Sequence, residues 1–69
     1  MKISASNQLK GKVTDIKEGA VNGVVTIDIG NGNKITSVIT MDSIKKLGIK
    51  VGSEAYAVIK ATSVMIAVD

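Results

Sequence analysis

The sequence contains no cysteine, histidine, proline or arginine, and Tyr56 is its single aromatic residue. Each absence removes a class of protein. Without cysteine no disulfide can staple the chain, and without cysteine or histidine a structural zinc site lacks its usual ligands. The same omissions take away the thiol nucleophile and the commonest general base of hydrolytic enzymes. One tyrosine provides no row of stacking platforms for single-stranded nucleic acid, and the lack of arginine removes the bidentate reader of guanine. Zero cysteine fits a reducing cytosol. Met1-Lys2-Ile3-Ser4 leads into polar sequence and not into the apolar core of a signal peptide, and no apolar run approaches the ~18 residues of a membrane span. The expectation is a cytoplasmic protein with no membrane partner.

What is present is a short, apolar and basic chain. Its 69 residues are enough for one small domain, residues 1–69. A chain of this mass hides only roughly 60% of its unfolded surface, so a lone copy is marginal. With disulfide and metal excluded, subunit association is the remaining reinforcement. The 45% hydrophobic content and mean hydropathy of +0.30 agree, being high for a chain with so much surface to keep wet. All nine basic residues are lysines, and against six acidic residues they leave a net charge of +3, which suits an anionic ligand.

Ten Ile, nine Val and five Thr, against two Leu, favour strands. Residues 7–17 form a first strand with Leu9, Val13 and Ile16 apolar, where Gly11 suggests a bulge or bend. Val25, Ile27 and Ile29 alternate with Thr26 and Asp28 in a half-buried second strand. Gly30-Asn31-Gly32-Asn33 is a tight hairpin turn into a third strand, with Ile35 and Ile39 on one face and Val38 on the other. Residues 40–48 read as a short helix, capped by Thr40 or Asp42 and closed by Gly48. Strands at 54–60 and 62–68 follow, the last apolar on both faces, Val64, Ile66 and Val68 on one and Met65 and Ala67 on the other. The order predicts an all-β, five-stranded OB-like barrel with one short helix between strands three and four. The second cover for the last strand is most simply another subunit.

The carboxylates are scattered: Asp15 and Glu18 at a strand end, Asp28 in a polar-out position, Asp42 at the helix start. These are solvated or capping positions, and no enzyme is expected. Small hydroxyl residues instead gather at chain ends and turns: Ser4 and Ser6 before the first strand, Thr40 and Ser43 at the helix start, and Thr62 and Ser63 after Lys60 and Ala61. Hydroxyls, free amides and an ammonium are the groups that hold a compact oxyanion. The ordinary roles of the same residues are caps, turns and a solvent-tipped lysine.

These segments resemble one family. Ile3-Ser4-Ala5-Ser6-Asn7-Gln8-Leu9-Lys10-Gly11 is similar to the S-A-R-N-x-L-x-G opening of the molbindins, the small molybdenum-pterin-binding (Mop) proteins. Ile39-Thr40-Met41-Asp42-Ser43-Ile44-Lys45-Lys46-Leu47-Gly48 resembles their I-T-x-x-S-x-x-x-L-G segment. Ala57-Val58-Ile59-Lys60-Ala61-Thr62-Ser63-Val64-Met65-Ile66 resembles their closing A-x-I/V-K-A/S-T/S-x-V-M-I. The resemblance covers the whole chain in register. It implies an OB-like barrel forming a homohexamer, a trimer of dimers, that binds molybdate or tungstate at subunit interfaces in the cytoplasm. Carried over by position, Ser4, Ser6, Thr40, Ser43, Lys60 and Ala61 fall on oxyanion-binding positions, Ala61 through its backbone amide. Ser6 stands where most members have arginine. Gly19, Ala20 and Val21 are the segment for a second type of site. Molybdenum would be held as molybdate, with no metal ion coordinated directly, and a pterin is not expected because there is little aromatic surface to stack on it.

The alternative is an OB-fold interaction or nucleic-acid-binding module that uses its lysines for backbone contacts, and the missing aromatics and arginines weigh against it. The function expected from the resemblance is intracellular binding, storage and buffering of molybdate. The oligomer is directly measurable: sedimentation at micromolar concentration should find a homo-oligomer, and a stably folded monomer there would refute the expectation.

Overall fold

The computed structural model describes residues 3–69, so the Met1-Lys2 start used above lies outside the described residues. Strand β1 (Asn7–Glu18) is long and shared. Its first half pairs antiparallel with β4 (Glu54–Ile59), from Asn7 opposite Ile59 to Lys12 opposite Glu54. Its second half pairs with β2 (Asn22–Gly30), from Lys12 opposite Asp28 to Glu18 opposite Gly23. Strand β3 (Asn33–Thr40) completes the order β3-β2-β1-β4. One strand passing between two partners bends the sheet into a half-barrel, and a bulge helps it turn. The register shifts between Val13 and Asp15, not at Gly11 as expected. The cause is the neighbouring turn, for Val13 donates to the Ser53 carbonyl at 2.9 Å and accepts from the Gly52 amide at 2.8 Å.

The β2–β3 hairpin follows its sequence. Gly30 opposes Asn33, and Asn31 and Gly32 between them both have positive φ, 54° and 77°, as a primed two-residue turn requires. Helix α1 (Met41–Leu47) starts at Thr40 and ends at Gly48, whose left-handed φ of 67° lets its amide bond back to the last turn. Ile44 anchors this helix. It packs with Val13, Val25, Ile27 and Ala57, the other buried hydrophobic residues among those described, and Val13 is only 1% exposed. Gly23 makes the close approach possible, since a Cβ there would meet the Ile44 side chain. No helix among the described residues is long and apolar enough to cross a membrane.

The fifth strand expected at 62–68 is absent. A single 3-10 turn, Ala61–Ser63, follows β4, and the remaining residues run on outside any ladder. Met65, Ile66 and Val68 are 92%, 87% and 91% exposed. The apolar run that suggested a strand is real, but β3 and β4, the sheet edges, are the strands it could join, and it pairs with neither. The fold is therefore mostly β and OB-like, with four strands in an open half-barrel and one short helix.

With so small a core, single truncations should be felt. Ile44→Ala should cost about 2–5 kcal/mol in urea unfolding and Ile44→Val about 0.5–1.5 kcal/mol. Equal stability of both variants to the parent would mean that the helix is not anchored through this side chain.

Candidate oxyanion site

The antiparallel pairing of β1 with β4 sets the first strand's start against the last strand's end. Asn7 clamps the junction, its Nδ2 donating to the Ile59 carbonyl at 3.3 Å, across 52 residues of sequence. Gln8 Nε2 donates to the Ala5 carbonyl at 2.9 Å and holds the segment leading into β1. On the other side the 3-10 turn is closed by the Ser63 amide donating to the Lys60 carbonyl at 2.9 Å and the Val64 amide to the Ala61 carbonyl at 3.3 Å. That turn spends the later amides and leaves those of Ala61 and Thr62 without a carbonyl partner among the described residues.

Between these two segments lies an open cavity of about 340 Å³, lined by Ser4, Ser6, Lys60, Ala61 and Thr62, with Ile3, Ala5 and Val58 as its apolar wall. Four of the six expected oxyanion residues are thus brought together. No carboxylate lines the cavity. Among the described residues the ion pairs are Lys10 with Glu54 at 3.6 Å and Lys46 with Asp42 at 3.1 Å, and Lys60 belongs to neither. The cavity therefore offers hydroxyls, amides and one uncommitted ammonium, and its chemistry suits an anion that brings only acceptors. Thr62, which the family resemblance did not place in the site, shares the lining. Its signal was its hydroxyl directly after Lys60-Ala61.

Thr40 and Ser43 are elsewhere. Thr40 pairs with Asn22 at the far end of the sheet, and neither hydroxyl residue lines the cavity. The length of β1 separates the two groups, on the order of 30 Å at ~3.3 Å per residue. Here the side chains engage each other: Thr40 Oγ1 accepts from the Ser43 amide at 3.0 Å and donates to Ser43 Oγ at 2.8 Å. Thr40 is the N-cap of α1, and the Ser43 hydroxyl keeps its own proton for an outside acceptor. Gly19, Ala20 and Val21 form the exposed β1–β2 turn at the same end, tied to the helix start by the Met41 amide donating to the Val21 carbonyl at 2.8 Å. One chain thus carries two separate donor groups, at opposite ends of one strand.

Comparison with known proteins places this fold. The TOBE domain family matches residues 3–66. A probable molybdenum-pterin-binding protein of Haemophilus influenzae is 58% identical over 69 residues, covering all of both chains. The structure of MopII from Clostridium pasteurianum, in an apo form, superposes with a TM-score of 0.91 at 54% identity, covering 97% of this chain and 100% of that one. That of the cytoplasmic molybdate-binding protein ModG, with molybdate bound, gives 0.84 at 46% identity over 88% of this chain and 43% of ModG. The chain belongs to the Mop family of molybdenum-pterin-binding proteins, the molbindins.

The cap can be tested apart from any ligand. Thr40→Ala should lower stability by about 1 kcal/mol in urea unfolding, and Thr40→Ser should restore most of it. A full-strength Thr40→Ala protein would show that Thr40 is not needed to hold the helix start.

Proposed function

We propose that this chain binds molybdate, with tungstate as a substitute, in sites completed by association of two copies, and so stores and buffers the oxyanion in the cytosol. The observation that carries the reading is the carboxylate-free cavity that Ser4, Ser6, Ala61 and Thr62 line together with Lys60, which is in neither ion pair among the described residues. Molybdate is a dianion with four acceptor oxygens and no proton to give. A cavity of donors satisfies it, whereas hydrogen phosphate also needs an acceptor for its proton and finds no carboxylate there. Support also comes from ModG, described as molybdate-binding and with molybdate bound.

Sharing between copies follows from the separation of the donors. Thr40 and Ser43 reach the same anion as Lys60 only if they come from a second chain. The exposed segment from Val64 onward gives association a driving force, and so does an apolar groove of about 330 Å³ between the β3 and β4 edges, lined by Val25, Ile27, Ile35, Ile39 and Ile49. The homohexamer, as a trimer of dimers, is the assembly proposed. The Gly19-Ala20-Val21 turn, beside Thr40 and Ser43, is its proposed second site. Ser6 in place of arginine leaves Lys60 as the cation of the cavity, so the lysine has more to do here than it would with a guanidinium beside it.

Titration calorimetry with molybdate, tungstate, sulfate and phosphate is the direct test. Molybdate and tungstate should bind and phosphate should not, and Lys60→Ala should weaken molybdate by about 1.5–3 kcal/mol. With neither histidine nor carboxylate in the lining, the affinity should stay flat from about pH 6 to pH 9. Equal binding of all four anions, or none of molybdate, would refute the proposal. Binding of DNA with a steep salt dependence and no response to molybdate would favour the lysine-driven nucleic-acid module instead.

A further inference from the structure

The chain has two Asn-Gly pairs, Asn22-Gly23 and Asn31-Gly32, and the fold treats them oppositely. Gly23 is buried in the central strand, opposite Glu18 on one side and Ile39 on the other, while Asn22 opposes Thr40. Asn31 and Gly32 are the two exposed central residues of the hairpin turn. Neither the Asn31 carboxamide nor the Gly32 amide hydrogen-bonds to any described residue, and a Cβ placed on Gly30 or Gly32 would touch nothing within 4 Å.

We infer that Asn31 is a site of spontaneous deamidation in the folded protein, and that the fold protects Asn22. The Gly32 backbone nitrogen attacks the Asn31 side-chain carbonyl carbon and loses its proton to solvent, and the side-chain nitrogen leaves as ammonia. The resulting five-membered succinimide is opened by water at either carbonyl, which gives aspartate or isoaspartate. Three features favour this at Asn31. The following residue has no side chain to block the attack, its nitrogen is not held by a carbonyl, and no packed neighbour confines the turn. At Asn22 the same attack must first turn Gly23 out of the sheet, so the rate is gated by local opening of the β1–β2–β3 ladder. Either product places a carboxylate near Asp28, whose Oδ1 accepts from the Gly30 amide at 2.8 Å. Isoaspartate also adds a main-chain carbon to a two-residue turn, which loosens the hairpin that forms the β3 edge.

The experiment ages the intact protein at mildly alkaline pH, in buffer and in urea, and reads both sites together. Cleavage after lysine releases residues 18–34 as one peptide that carries Asn22 and Asn31, and fragment masses locate the exchange of NH2 for OH. In buffer Asn31 should convert more than about tenfold faster than Asn22, and in urea the two should agree within about threefold. Isoaspartate-specific enzymatic methylation should label the aged protein and not the fresh one. A stable Asn31 in buffer, equal rates at the two sites in buffer, or the same tenfold gap in urea would overturn the inference. So would conversion without isoaspartate, since that excludes the succinimide.

Discussion

The antiparallel pairing of the first strand with the last is the interaction on which the rest depends. It joins Asn7 to Ile59, residues 52 apart in sequence, and so sets the serines before β1 beside the lysine after β4. The same pairing uses one side of β4 and leaves the other open, while β3 ends the sheet on the far side. Cavity and open edges are therefore two results of one choice of partner. A β1 paired with β2 alone would leave Ser4 and Lys60 unrelated in space.

An oxyanion in water is already well solvated, so a cavity must replace nearly every hydrogen bond it removes. Here the replacement donors come cheaply in structural terms, because they are groups the fold leaves unpaired. The amides of Ala61 and Thr62 lie at the start of a turn whose own bonds are made by Ser63 and Val64. The Ser43 hydroxyl is positioned by Thr40 as part of capping a helix and is left with a proton to give. Elements too short to satisfy all their own backbone groups are thus the source of the donors in the proposed site.

The sequence was most legible where a local rule decides the structure. The hairpin at Gly30 to Asn33, the Thr40 cap and the Gly48 stop each rest on the conformational preference of one or two residues, and each is found where the rule puts it. Residues 62–68 were misread because an apolar run reports a need for burial on both faces and does not fix a partner in the sheet. The bulge was misplaced for a related reason, since the contact that shifts the register comes from Ser53 and Gly52, 40 residues further on. The candidate site divides in the same way. Hydroxyls and a lysine near turns could be picked out one by one, but that four converge and two lie at the other end of β1 is set by strand pairing, which no local pattern contains.

Charge adds a last constraint on how such copies can meet. Each chain carries a net +3, so bringing copies together adds like net charge, which would oppose any gain from covering Met65, Ile66 and Val68. A dianion held between chains reverses the sign at the point of closest approach and satisfies donors from both sides. If, as proposed, it binds the assembled form and not separate chains, it shifts the equilibrium toward assembly by mass action. The lysine-only basic complement fits this arrangement: compact ammonium charges on flexible stems, as at Lys60, can turn toward an anion when it is present and back to water when it is not.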